Sequence, residues 1–379
     1  MAKRDKVPIN NKILEWLIQD LNVDINTAAK KAGVNPQQIQ DWIEKKDFPT
    51  YKQAEKLAYK VFKKPIAIFF MEEIPESLSI RKKFRSIPEL IYESISYKTR
   101  IAVNNADYFR TVFYEVFKFN PSPNPIFREL KLKDISEPFK TAMKIREILG
   151  INYKIQSAFN DKYKAFNYYR GKLEEAGVFS FQLQLEGDRA FCILDNEFPL
   201  IIVNSSDSVY SKIFSLFHEL THILLETDDV FKEVEPDYYS NDPIEMFCNK
   251  VASEILVPTD EFIKMFSNFG INQIKAEIKE IASNYCVSNE VIFRKFLDMG
   301  KINNKEYMTL KTEWDNAFKQ RKKSGGDFYR NKVSALGKGY IKKVIYEYDN
   351  GNINDIQVSE YLGIKYSQLS KIQTEVYSK

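Results

Sequence analysis

The chain holds only two histidines in 379 residues. Both fall in one stretch, Phe214-Ser-Leu-Phe-His218-Glu219-Leu-Thr-His222-Ile-Leu-Leu225. A helix turns about 100° per residue, so with His218 at zero His222 falls near about 40° and Glu219 near about 100°. Two imidazoles and one carboxylate therefore share a flank. Val209, Ile213, Phe214, Phe217, Leu220, Ile223 and Leu224 make the rest of the helix apolar nearly all round, so burial is expected. Imidazoles and a carboxylate among apolar neighbours need a partner, and a zinc ion supplies one. In the zinc-protease reading of His-Glu-x-x-His, His218 and His222 bind the metal and Glu219 takes a proton from water. The plainer reading is a pair of histidines satisfied by ordinary core contacts. The motif by itself lacks a third ligand.

A second helix downstream supplies a candidate. Asp242 stands at a cap position, Pro243 at a first position, and Pro258 ends the run. On that helix Glu245, Asn249, Ala252 and Leu256 fall on one face, within about 60°. The small Ala252 permits close approach of another helix. Glu245 is expected to be the third ligand, and Asn249 to orient a ligand from behind. Glu254 falls on the opposite side and is the poorer candidate. The rival role for Glu245 is a capping box with Asp242, three residues before it.

Composition narrows the surroundings. A length of 379 residues suits two or three domains. A net charge of +4 is too weak to demand a polyanionic partner, and 14% aromatics mark a globular chain. Cys192, Cys248 and Cys286 are scattered, with no Cys-x-x-Cys, so neither a disulfide framework nor an all-sulfur zinc site is indicated. No apolar run is long enough for a bilayer, and Met1–Lys6 is not followed by an apolar signal core. The expectation is a cytoplasmic protein with no membrane partner.

Residues 1–75 are expected to form a bundle of short helices. Asp24 caps a helix over 25–32 that stops at Gly33, and Asn35, Pro36 and Gln38 open the next with a capping box. Thr50 with Gln53 opens a fourth, ending near Lys64-Pro65. The helix, glycine turn and second helix suggest a helix-turn-helix. Gln37, Gln38 and Gln40 suit adenine edges, while Lys45, Lys46, Lys52, Lys56, Lys60, Lys63 and Lys64 suit phosphates, so double-stranded DNA is a candidate partner. Over residues 1–70 there are 13 Lys/Arg against 8 Asp/Glu, a modest excess. A protein-docking role is the alternative.

Pro65 to Ser86 is expected to be a connection containing a basic strap at 79–86. Helices are expected over 88–118, 134–149 and 158–175, with a proline-rich loop at Asn120–Pro125. Phe109, Phe113, Tyr114, Phe117, Tyr168 and Tyr169 on them suit a core better than a cofactor platform. Strands follow at 178–185, 190–194 and 199–203 as a small meander, the first pairing with the second. Asn204–Asp207 is expected to cap the histidine helix. Two later segments, 278–297 and 353–372, again suggest helix-turn-helix units; either could carry DNA or pack against the central domain, and packing is the favoured role for both.

The run Pro199–Asn204, the His218–Leu225 helix and Glu245-x-x-x-Asn249-x-x-Ala252-x-x-Ile-Leu-Val-Pro258 together resemble the ImmA/IrrE family of metallo-endopeptidases. So does the tail from Gly325-Gly-Asp-Phe-Tyr329. Thr221, Cys248 and Val251 depart from the family pattern at packing positions and leave the ligand set intact. The resemblance implies a zincin-like fold, zinc on His218, His222 and Glu245, and Glu219 as catalytic base. It also implies an accompanying repressor-like (XRE-type) helix-turn-helix, and a repressor-type or antitoxin-like protein as substrate, whose loss de-represses mobile elements or stress genes. An oxyanion-stabilising group is expected besides, with Tyr238 and Tyr239 as candidates on position alone. The strand Pro199–Val203 or its edge neighbour is expected to hold an extended substrate by strand addition.

The expected architecture is α+β and mostly helical. A helix-turn-helix domain spans 1–75, a helical connection 76–175, a peptidase core with a small sheet 176–310, and a helical region 311–379. The alternative function is a DNA-binding transcriptional regulator whose metal domain is structural or sensory.

Overall fold

The computed structural model describes residues 5–75, 93, 95–118, 130–132, 134–156, 158–159, 161–226, 242–309 and 326–377. It is mostly helical with one small sheet, and it divides into two compact units, Met1–Asp107 and Tyr108–Lys379. The expected strap at 79–86 and the loop at 120–125 lie outside the described residues.

In the first unit α1 (Asn11–Asp20), α2 (Ile25–Ala32), α3 (Pro36–Ile43) and α4 (Tyr51–Lys56) form the expected short helices. Their ends follow from local chemistry. Asp24 accepts from Thr27 N, Gly33 closes α2 at φ +69°, and Asn35 with Gln38 completes a capping box. The connection expected from Pro65 begins later than that, because Ile66–Phe70 forms a 3₁₀ helix with Ile68 and Phe69 buried. Phe69 O accepts from Asn10 N at 2.8 Å, and two apolar side chains with a tethered backbone belong to the bundle.

The second unit is built on a three-stranded sheet: β1 (Phe179–Leu183), β2 (Ala190–Ile193) and β3 (Leu200–Asn204). The expected meander is wrong in its pairing. The order is β1-β3-β2, with β3 parallel to β1 and antiparallel to β2. β3 is buried at every position, so it takes the middle, where both faces and both edges are covered. β3 itself therefore has no free edge for strand addition, and among the described residues no strand pairs on the far side of β2.

The register sorts the side chains onto two faces. Phe179, Phe181, Phe191, Leu200 and Ile202 share one face. Against it lies α5 (Tyr97–Phe117), with Phe109 stacked on Phe181 at 4.0 Å and Phe113 near Phe179 at 4.4 Å. Phe109, Phe113 and Phe117 are core, as expected; Tyr114 is instead 44% exposed, its hydroxyl donating to Asp195 at 2.7 Å. Ala190, Cys192, Ile201 and Val203 share the opposite face. They belong to a core that also takes in α6 (Pro138–Ile148), α7 (Lys162–Glu175), α8 (Val209–Leu225) and α9 (Pro243–Leu256). Each buried aromatic or large aliphatic side chain contributes about 1.5–3 kcal/mol.

Helices α10 (Thr259–Phe266), α11 (Ile271–Tyr285) and α12 (Asn289–Asp298) extend that core. The segment 278–297 is part of it, with Ile278, Ile281, Ala282, Val291, Ile292 and Phe296 all buried. The later helices α13 (Phe328–Leu336) and α14 (Lys338–Asp349) dock on the sheet layer. Arg170, on α7, donates to Ser180 O on β1 and to Ser334 O (2.6 Å) and Ala335 O (3.3 Å) at the end of α13. Tyr340, on α14, packs edge-on to Phe109, Phe113 and Phe181.

Candidate metal centre

Helix α8 starts directly from the central strand. Asn204, the last residue of β3, organises the join. Its Nδ2 donates to Leu185 O (3.3 Å) and Asp188 O (2.9 Å), and its Oδ1 accepts from Ser206 N (3.0 Å). The cap itself falls one residue beyond the expected 204–207. Ser208 Oγ accepts from Ser211 N at 3.1 Å, because Asn204 is already committed to the loop. From Lys212 to Leu224 every residue of α8 is buried, as its all-round apolar pattern requires.

Burial places His218, Glu219 and His222 in the interior, at 3, 3 and 4% exposure. Helix α9 packs along α8. Asp242 caps α9 by accepting from Ile244 N at 2.9 Å, with Pro243 in its first turn. Glu245 does not turn back to form a capping box. Its Oε2 lies 3.2 Å from His218 Nε2, and its Oε1 lies 3.3 Å from His222 Nε2. The two imidazole Nε2 atoms are 3.1 Å apart. One ligand atom from each of the three residues lies within 4.8 Å of the others.

Asn249, one turn beyond Glu245, places its Oδ1 3.0 Å from His218 Nδ1. An amide oxygen only accepts, so His218 Nδ1 donates to it, which turns Nε2 of His218 toward the Glu245 carboxylate and the second imidazole. Imidazole nitrogens and carboxylate oxygens at this spacing in a buried pocket are held together by a shared proton or by a metal cation. Ligands about 2.0–2.1 Å from a tetrahedral zinc stand about 3.3–3.4 Å from one another, close to the separations of 3.1–3.3 Å found between the two nitrogens and from each nitrogen to its nearer Glu245 oxygen. The donor set of two imidazoles and a carboxylate thus fits a divalent metal with one position left open.

Glu219 projects from the same helix toward β2. Burial pushes its carboxyl up to about 7, with the nearby Glu245 charge adding to the rise and His218 opposing it. Cys192 on β2 hydrogen-bonds to it. Burial raises the Cys192 thiol well above its ordinary value, so it stays protonated and donates. For Glu245, burial is outweighed by the adjoining His218 and His222, and its carboxyl sits well below the usual range.

Composition gave Cys192 no role beyond a scattered cysteine. The signal was the strand alternation, since Cys192 shares the face of Ala190 that α8 covers. Glu254, the poorer ligand candidate, accepts instead from Thr259 N (3.0 Å) and from the buried Lys295 ammonium. Thr221 returns its hydroxyl to Phe217 O at 2.8 Å, so the departure there leaves no polar group unmet. Tyr238 and Tyr239 lie outside the described residues.

The polar residues of α3 are engaged within their own helix. Gln37 Nε2 donates to Asp41 (3.0 Å), Gln40 Nε2 to Glu44 (2.8 Å), and Gln38 Oε1 accepts from Asn35 N (2.9 Å). Lys46 pairs with Glu44 at 2.5 Å, and Lys45, exposed beside it, has φ +59°.

Residues 174–296 match the Peptidase_M78 family, described as the IrrE N-terminal-like domain. The matched segment runs from the end of α7 through the sheet, α8 and α9 to α12, so it takes in every residue of the metal centre. It supports the ImmA/IrrE resemblance and a metallopeptidase-type activity. The IrrE-like segment does not include the first unit or the helices after residue 296. No curated protein matches the chain. Among the described residues no helix is long and apolar enough to cross a membrane.

Proposed function

We propose that this chain is a zinc-dependent endopeptidase that cuts a repressor-type or antitoxin-like regulatory protein. The observation that carries the reading is the convergence of His218 Nε2, His222 Nε2 and both oxygens of Glu245 at 3.1–3.3 Å. His218, His222 and Glu245 would hold the metal. When bound, it supplies Lewis acidity to a scissile carbonyl and to an attacking water.

The chain's own residues do the rest. Asn249 fixes the His218 ring, so Nε2 stays turned toward Glu245. Glu219 accepts a proton from the attacking water and returns it to the leaving nitrogen. Burial raises the Glu219 carboxyl and so strengthens it as a proton acceptor, and the Cys192 hydrogen bond holds it in place. The apolar packing of α8 keeps bulk water from the site. An extended substrate strand would add to β2, whose Cys192 borders Glu219.

A regulatory protein as substrate is supported by the ImmA/IrrE resemblance and by the two-helix unit of α2 and α3, which is similar to a repressor's own. Binding of DNA by that unit would require Gln37 and Gln40 to leave Asp41 and Glu44.

The test is incubation of the zinc-loaded protein with the repressor-like product of the adjacent gene, read by mass spectrometry. Wild type is expected to cut at a defined bond, and Glu219→Gln to retain zinc without cutting. Cleavage by Glu219→Gln would remove the assignment of the base. A wild type that leaves both that repressor and a mixed peptide library intact would remove the endopeptidase reading.

A further inference from the structure

The segment 353–372 is not absorbed by the peptidase core, and it repeats the caps, turn and buried positions of α2 and α3 at a constant offset, its second helix opening with a 3₁₀ turn where α3 is α-helical from the start. Adding 330 to each N-terminal number gives its C-terminal counterpart, from Gly33 to Gly363. The C-terminal copy consists of α15 (Asp355–Leu362), a 3₁₀ turn (Tyr366–Gln368) and α16 (Leu369–Tyr377). Asp24 and Asn354 cap the first helices with their side chains. Gly33 and Gly363 close them at φ +69° and +59°.

The turns carry the same hydrogen bonds. Val34 N reaches Ala29 O at 3.0 Å, and Ile364 N reaches Ser359 O at 3.0 Å. Asn35 N reaches Gln38 Oε1 at 2.9 Å, and Lys365 N reaches Gln368 Oε1 at 2.9 Å. Ala28, Ala32, Ile39 and Trp42 are buried, and so are Val358, Leu362, Leu369 and Ile372. The capping, turn and core of one unit are thus present twice.

Docking on the sheet layer is the work of other residues. Ser334 and Ala335 of α13 and Tyr340 of α14 make those contacts, while α15 and α16 pack on α13 and α14. The outer side of the second helix is left exposed: Lys365, Tyr366, Ser367, Ser370, Lys371 and Thr374. Two lysines, two serines, Tyr366 and Thr374, whose hydroxyl donates to Ser370 O at 2.9 Å, make this face; no carboxylate occurs between Tyr361 and Thr374, and of the flanking Glu360 and Glu375 the second pairs with Arg330 at 3.5 Å. The corresponding helix of the N-terminal copy carries Asp41 and Glu44, which hold its glutamines.

We propose that Asn354–Tyr377 is a second helix-turn-helix and that the outer face of its second helix docks on duplex DNA. Lysines and hydroxyls are the side chains that meet phosphate oxygens. The major groove of B-form DNA is wide enough for an α-helix, whereas that of duplex RNA is too deep and narrow. Tyr348 donates to Asp355 at 2.9 Å, so Tyr366 donates its own hydroxyl proton to Tyr348 at 2.7 Å, which fixes its ring at the start of this face and leaves the phosphate contacts to the lysines and serines.

The test uses the full chain and a fluorescent random-sequence duplex of about 30 base pairs, with binding followed by anisotropy as salt is raised from about 50 to about 200 mM. The variants are Lys365→Ala with Lys371→Ala, Lys365→Arg with Lys371→Arg, and Lys45→Ala with Lys46→Ala. The first pair is expected to weaken binding at least about tenfold and to flatten the salt dependence by about one unit per lysine. The arginine pair is expected to bind like wild type, and duplex RNA to compete poorly. Both lysines are exposed, so an unchanged melting curve is expected to accompany the loss. No binding by wild type at the lowest salt would overturn the proposal. So would an unchanged affinity and slope in Lys365→Ala/Lys371→Ala, including the case where only the Lys45/Lys46 pair matters.

Discussion

Asn249 Oδ1 lies 3.0 Å from His218 Nδ1, and this contact decides which nitrogen of His218 faces Glu245. Its loss frees the ring to rotate and to change tautomer. Asn249→Ala is expected to lower zinc affinity about 10- to 100-fold, the usual effect of removing a partner behind a ligand. Competition with a chromophoric chelator measures it. Asn249→Asp keeps an acceptor at the same place and is expected to retain most of the affinity.

Metal binding should stabilise the fold that carries the site. With zinc at about 100 times its dissociation constant the gain is about 2.7 kcal/mol. At about 2–4 °C per kcal/mol, melting is expected to rise by about 5–10 °C. Chelation should reverse the rise, and His222→Ala and Glu245→Ala should show none of it. Differential scanning fluorimetry with and without zinc separates these outcomes.

Arg170 is 3% exposed and joins β1 to the end of α13 through three carbonyl oxygens. Burial lowers its guanidinium to about 10, with Glu174 opposing, so it remains charged at neutral pH. Arg170→Ala removes the cation beside Glu174, which keeps its bond from Gly339 N, and strands the carbonyls, and a loss of about 3–5 kcal/mol is expected. Denaturant titration gives the number. Hydrogen exchange should show α13 and α14 losing protection first.

Asp207, between β3 and α8, is raised to about 6 by burial, with Arg189 and Lys212 opposing. A carboxyl raised in the folded state binds its proton more tightly there than in the unfolded chain. Its contribution is therefore neutral below the unfolded value of about 3.8 and turns unfavourable as pH climbs from there to about 6. Asp207→Asn removes that change. Relative to wild type it should gain about 1–2 kcal/mol between pH 4 and pH 7, a figure reduced for the partial exposure of the side chain. Urea titrations at the two pH values check the sign.

Much of the centre is local and so was legible in the chain itself. One helical turn brings His218 and His222 together, and the apolar surroundings of the motif require burial. Asp242 and Pro243 set where α9 begins, and hence which of its faces carries both Glu245 and Asn249. The caps at Asp24, Asn35 and Thr50 are likewise short-range hydrogen bonds between neighbours in sequence. The shift to Ser208 at the start of α8 arose because Asn204 found partners at Leu185 and Asp188, on a loop distant in sequence.

The sequence by itself determined which segments are helices and strands, where most of them stop, and which side chains suit a metal. Those properties depend on periodicity and on groups a few residues apart. Only the tertiary structure decided that β3 lies between β1 and β2, because a strand's two faces and two edges are covered by segments far along the chain. The same holds for Cys192 against Glu219, for Arg170 across β1 and α13, and for the choice of 353–372 over 278–297 as the exposed two-helix unit. Each is a contact between distant segments, and pairing rules within one element carry no information about it.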